Sequence, residues 1–233
     1  MKNQFKQQSE KLNRRDFIIK FSLAGAGVTL GSVAFLASCN LNKTEATKTL
    51  VKENILTVYI TRTGNTEAIA KMIQANVGGN LISLELENPY PQDYQAIVKQ
   101  VDQENEKGYL PPLKTKIDNI QKYQTIFIGF PTWDMQLPPP MKSFLNEYDL
   151  SGKTVIPFNT NAGYGTGSSF QQVKQLCPNS TILEDFEIKG GIERDGILFV
   201  MEGEKEEEAR MKVKQWLQKI GITKNHKDTF KAI

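Results

Sequence analysis

The chain has 233 residues, 39% of them hydrophobic and 24% charged, which is enough for one well-buried domain or two small ones and too balanced for a fibrous or low-complexity protein. Its formal charge of +3 originates at the front: residues 1–38 hold six Lys or Arg against two acids, so that 23 basic residues face 24 acidic ones in the remainder. Such a remainder excludes nucleic-acid binding driven by composition. Two cysteines, Cys39 and Cys177, and one histidine, His226, suggest neither a disulfide framework nor a His/Cys metal site.

The first segment reads as an address. Arg14 and Arg15 precede an uncharged, Gly- and Ala-rich run over 21–38, which ends in 36-LASC-39. A basic end followed by a weakly apolar span and small residues is the pattern of an export signal. The stretch 14-RRDFIIK-20 resembles a twin-arginine signal, and 36-LASC-39 resembles a bacterial lipobox. That resemblance implies cleavage before Cys39 and a lipid on its thiol. Residues 1–38 are then an export signal and 39–54 a lipid-anchored polar tether, outside the cytoplasm on a membrane or the cell surface. The other reading is an uncleaved anchor, because 18 uncharged residues lie near the lower limit for a helix crossing the hydrocarbon core. Both readings tether the same domain to a membrane.

From residue 55 the pattern alternates. The run 55-ILTVYI-60 is short, apolar and β-branched, as in a strand buried on both faces. Residues 66–77 have helical spacing, with Ile69, Ile73 and Val77 on one side. A strand over 80–86 and a helix near 95–106 follow. The strand 125-TIFIGF-130 precedes a helix over 138–148 that prolines open, and then a strand over 153–159. Residues 168–176 are weakly helical and 181–189 form a fifth strand. A last helix over 206–220 is expected to bury Met211, Trp216, Leu217 and Ile220 and to begin in the acidic run 206–208. Strands separated by helices predict an α/β fold, a parallel sheet covered on both faces. Residues 222–233 read as a flexible tail.

Ligands of such sheets bind beyond the carboxyl ends of the strands. Three loops lie there. In 61-TRTGNT-66 the successive amides can curve around an anion at a helix N-terminus, and Thr61, Thr63 and Thr66 add hydroxyl donors. Gly64 permits close approach or unusual torsion. The set suits a phosphate monoester; a helix cap by Thr63 or Asn65 is the simpler alternative, which accounts for one polar residue rather than three hydroxyls. In 131-PTWDMQLPPP-140, Trp133 sits where an indole can cover a flat aromatic ligand, with Asp134 and Met135 beside it; a core or interface tryptophan is the alternative. In 159-NTNAGYGTGSS-169 the backbone can present N–H groups to ring carbonyls, and Tyr164 either stacks on a ligand or lies on the surface.

These stretches, with 89-PYPQDY-94, 129-GFPTW-133 and 152-GKTVIPFNT-160, resemble the flavodoxins over nearly all of residues 54–221. The resemblance implies a flavodoxin-like three-layer sandwich, a five-stranded parallel sheet in the order 2-1-3-4-5, and bound FMN. It implies a phosphate loop of Thr61, Arg62, Thr63, Gly64, Asn65 and Thr66. A first flavin-flanking loop would hold Pro131, Thr132, Trp133 and Asp134, and a second Asn161, Ala162, Gly163 and Tyr164. The chain departs from the group at 133-WDM-135, where a second tryptophan and a glycine are common. Residues 190–203 fit the pattern only loosely.

FMN carries its own redox chemistry, so no side chain is needed as nucleophile. Asp134 would disfavour added negative charge on the reduced ring, and Arg62 would add positive potential near the phosphate. Three functions follow: an electron carrier serving a redox partner protein or a small acceptor such as a quinone; an NAD(P)H:quinone-type oxidoreductase; or a binding module that has lost the flavin. A site beyond the cytoplasmic membrane has little access to NAD(P)H, which favours the carrier, and the intact threonine loop disfavours the module.

Overall fold

A computed structural model of the chain describes residues 54–223. The export segment, Cys39 and most of the tether fall outside them, as does the tail from 224 onward with His226. Within the described residues no helix is long and apolar enough to cross a membrane.

The first strand, β1 (Ile55–Tyr59), is buried along its whole length, as its β-branched and apolar run requires. It is followed by α1 (Asn65–Val77), β2 (Asn80–Ser83), α2 (Tyr94–Lys107), β3 (Thr125–Pro131), α3 (Pro139–Glu147), β4 (Thr154–Asn161), α4 (Ser169–Leu176), β5 (Thr181–Ile182), β6 (Phe186–Lys189) and α5 (Gly203–Lys219). The strands are parallel in the order β2-β1-β3-β4-β5, and β6 pairs with β4 on the same side as β5. The five-position parallel sheet expected from the alternation is therefore present.

Alternation along the strands divides the core. Ile55, Tyr59, Phe127, Ile156 and Phe158 face α1 and α5, while Leu56, Val58, Ile126, Ile128, Phe130 and Val155 face α3 and α4. A period of two puts neighbours on opposite faces, and each fully buried large side chain contributes roughly 2–3 kcal/mol. Gly129 permits one tight contact: a β-carbon there would lie 2.1 Å from the ring of Phe158, its partner on β4. Local chemistry sets the helix ends. Asp93 accepts the Ala96 N–H at 2.8 Å to start α2, left-handed Gly108 ends it, and prolines occupy the first turn of α3.

Three expectations need correction. The single strand over 181–189 is two pieces. Val155 pairs with Ile182 and Phe158 with Phe186, so two residues of β4 oppose three of the edge. One of those two is Pro157, which has no N–H to donate; the edge bulges past it. The strand over 80–86 stops at Ser83, because β1 ends at Tyr59; the Glu85 N–H turns to the Thr115 hydroxyl and Leu86 bridges Leu113. In α5, Trp216 and Leu217 are buried as expected, but Met211 is 59% exposed; Ala209 and Val213 take the inward stripe, two residues to either side of it.

Thr57 is fully buried mid-strand and its hydroxyl has no hydrogen-bond partner. Thr57→Val should raise unfolding free energy by about 1 kcal/mol, measured by urea denaturation; an unchanged or lower midpoint would show that the hydroxyl is satisfied.

Candidate functional site

The carboxyl ends of β1, β3 and β4 open into a cleft of about 540 Å³. All three loops singled out in the sequence reach it. Thr61, Arg62, Thr63, Asn65 and Thr66 line one end, Pro131 to Asp134 a wall, and Asn161, Ala162 and Tyr164 a third side; Gly64 and Gly163 do not line it.

The first loop ends in a set of backbone donors that no side chain caps. Gly64 occupies the N-cap position of α1 at φ 83°, in the left-handed region, and no side chain caps the helix. The amides of the first turn are thus left for another acceptor, with the helix dipole behind them. The side chains of the loop mostly hold it in shape. The Thr61 hydroxyl accepts the Gly64 N–H at 3.0 Å and keeps its own hydrogen to donate. Asn65 is buried; its amide nitrogen donates to the Thr63 hydroxyl at 2.8 Å and to the Leu198 carbonyl at 2.6 Å, while its oxygen accepts the Val200 N–H at 3.1 Å. The Thr66 hydroxyl meets that of Thr160 at 2.8 Å. The Arg62 guanidinium is engaged on three sides, by the Glu193 carboxylate and by the carbonyls of Pro91 and Gln92. Arg62 and Asn65 thus tie the loops together, and both also line the cleft.

The wall is a tight turn. Trp133 and Gln136 exchange both backbone hydrogen bonds, at 3.3 and 3.0 Å, and between them Asp134 (φ 50°) and Met135 (φ 52°) are both left-handed. Trp133 is half-buried and meets the edge of Tyr90 at 5.4 Å and 85°. The Tyr90 hydroxyl donates to the buried Glu104 carboxylate; burial and that carboxylate push its pKa well above the ordinary phenol value. The Thr132 hydroxyl accepts from the Asn159 side chain at 3.0 Å and lies 3.2 Å from the Gly165 carbonyl, joining the second loop to the third. In the third loop Asn161 accepts the Gly163 N–H at 2.8 Å. Tyr164 is 63% exposed, and its hydroxyl accepts from Arg194 at 2.9 Å across the cleft mouth.

Two further sides carry no sequence expectation, one from α2 (Tyr94, Ile97, Val98, Val101 and Asp102) and one from the segment after β6. Residues 190–194 line the cleft, and Ile192 bridges Ile197 in a narrow hairpin. Gly191 permits it, since a β-carbon there would lie 2.0 Å from the Leu198 carbonyl. The signal was a glycine pair at the carboxyl end of a strand, followed by a turn-forming 195-DG-196.

Asn65→Ala removes the tie between the first loop and this hairpin. It should cost about 1–3 kcal/mol in urea denaturation and speed hydrogen exchange at the Val200 amide; an unaltered exchange rate would show that the tie does not hold the hairpin.

Comparisons with known proteins agree with this geometry. A flavodoxin from Synechocystis sp. is 29% identical over 117 residues, a match covering 48% of this chain and 55% of that protein; the chain thus spans about half the length of that relative. A candidate flavoprotein of known structure from Bacteroides eggerthii is 26% identical with a TM-score of 0.58, over 73% of this chain and 99% of the other. A flavoprotein from Lactobacillus acidophilus, solved in complex with FMN, shares the fold at 17% identity and a TM-score of 0.52, over 58% of this chain and 93% of the other. The family described as Flavodoxin matches residues 54–202, and the chain belongs to that family.

Proposed function

We propose that the domain binds FMN and works as an electron carrier. The observation that carries this reading is the uncapped start of α1, facing a cleft whose wall is an indole. A phosphate monoester suits the first-turn amides and the hydroxyls of Thr61, Thr63 and Thr66, and a flat ring suits the face of Trp133. FMN supplies the redox chemistry when bound. The chain's residues bind the phosphate, orient the ring and exclude water. Thr132 fixes the second loop against the third, so the walls keep their spacing, and Tyr164 with Arg194 borders the mouth. Asn161, by accepting the Gly163 N–H, shapes the backbone that would meet the ring edge.

We further propose that the carrier is exported and lipid-anchored at Cys39, with residues 40–54 as tether. The support is sequence alone: 14-RRDFIIK-20, the uncharged run after it and 36-LASC-39. Its partners on this reading are a redox protein or a small acceptor such as a quinone, reached from the membrane surface.

Protein purified without added cofactor should show flavin absorbance, released on denaturation as FMN rather than FAD. A colourless protein that takes up no FMN would instead indicate a binding module. Bleaching of the bound flavin by NAD(P)H alone would favour the oxidoreductase; the carrier reading expects none without a partner. Gly64→Ala places a β-carbon at φ 83°, 3.3 Å from the Phe199 ring. At about 1–2 kcal/mol of strain, FMN affinity should fall about tenfold, read by fluorescence titration. Cys39→Ser should abolish fatty-acid labelling and release the protein from the membrane fraction; undiminished membrane association would favour the uncleaved anchor.

A further inference from the structure

α3 packs Met141, Phe144 and Leu145 into the core, yet between them it carries a half-buried lysine. The Lys142 ammonium donates to the side-chain oxygen of Asn105 on α2 and to that of Gln136 in the turn after β3, both at 2.8 Å. The amide nitrogens of those same two residues donate to one carboxylate oxygen of Asp134, at 3.0 and 2.9 Å. A cation and an anion are thus linked through two parallel amides. The amide orientations are dictated by their neighbours, because reversing either would set N–H groups against an ammonium and an oxygen against a carboxylate. The Gln136 oxygen lies 3.3 Å from the Gln172 amide nitrogen, and the Gln172 oxygen accepts the Leu137 N–H at 3.1 Å, which ties the turn to α4.

This network adjoins the two non-glycine residues with positive φ at the cleft. Asp134 and Met135 are adjacent and both left-handed, and neither is the glycine that such a two-residue turn favours. Non-glycine residues stay in that region only where the surroundings over-determine them. The Ser168 N–H holds the Met135 carbonyl at 2.9 Å and the Trp133–Gln136 pair closes the turn, while Asn105 and Gln136, backed by Lys142, hold the Asp134 carboxylate; the turn so held carries Trp133. Asp134 also borders the cleft. Burial lowers the Lys142 pKa, and the nearby Asp134 charge opposes that fall.

We propose that Lys142 is a positioning residue for the flavin: through Asn105 and Gln136 it fixes the turn that carries Trp133 and offsets the charge of Asp134 at the ring. The proposal rests on the reading that the cleft binds FMN. Removing the ammonium leaves the carboxylate uncompensated beside a ring that gains negative charge on reduction, and it frees the turn to relax.

The test uses the full chain with Lys142→Met, Lys142→Arg, Asp134→Asn and the Met/Asn double variant, each also made with Trp216→Phe so that emission reports Trp133 alone. Without flavin, Lys142→Met should make Trp133 more accessible to acrylamide quenching. With FMN, it should weaken binding about tenfold through the lost charge-assisted hydrogen bonds and lower the flavin midpoint potential. Lys142→Arg should restore the potential, and Asp134→Asn should remove most of the effect of Lys142→Met. If Lys142→Met does not fold, Asn105→Ala, which deletes one of the two amides, should give a smaller shift in the same directions. Wild-type quenching and potential in Lys142→Met would overturn the proposal, as would effects that add independently to those of Asp134→Asn. A wild-type protein that takes up no FMN overturns the electrostatic part together with the FMN reading, while the quenching measurement still decides whether Lys142 holds the turn.

Discussion

The site depends on a helix that begins without a cap. Most helices recruit a Ser, Thr, Asp or Asn to satisfy their first amides. Here α1 is entered through left-handed Gly64, and the Thr61 and Thr63 hydroxyls accept hydrogen bonds within the loop while keeping their own hydrogens to donate. The first-turn donors consequently face the cleft with the dipole of a 13-residue helix behind them. Everything else at the carboxyl ends of the strands surrounds that one concentration of positive potential.

Holding such an arrangement open requires the loops to brace one another. Arg62 spans from the first loop to the carbonyls at 91–92 and to Glu193. Asn65 secures the backbone at 198 and 200. Thr132 connects the second loop to the third, and Lys142 secures the second from below through Asn105 and Gln136. Polar side chains thus carry the geometry where backbone ladders have ended. Such ties favour a preformed site, because their ordering cost is met in folding rather than in binding.

The sheet and its helices were legible because each rests on a local pattern: the β-branched run at 55–60, the apolar run at 125–130, the inward stripe of Ile69, Ile73 and Val77. The threonine loop was legible because its composition exceeds what a cap needs. What escaped depends on partners distant in sequence. Nothing near Arg62 marks it as the partner of Glu193, which lies 131 residues away. Pro157 was read as part of a strand, but its effect falls on the edge strand beside it, which sequence alone does not align. The turn at 134–135 lacks glycine, the residue that announces a left-handed pair, and is held by partners distant in sequence, Asn105 and the Ser168 N–H among them. Met211 was assigned inward by apolarity, whereas the phase of α5 is set by Ala209, Val213 and Trp216.

The bulge opposite Pro157 also bears on how the molecule behaves in company. A straight, uniformly apolar edge is a template for a further strand from another chain. On this side of the sheet the ribbon breaks after Ile182 and resumes at Phe186, with Glu187 and Lys189 as exposed charges on it. On the other side β2 is four residues long, and only two of them are even half-covered. Among the described residues neither margin presents a long flat row of amides, and on the β5/β6 side the proline that interrupts the ladder also works against pairing with a further strand.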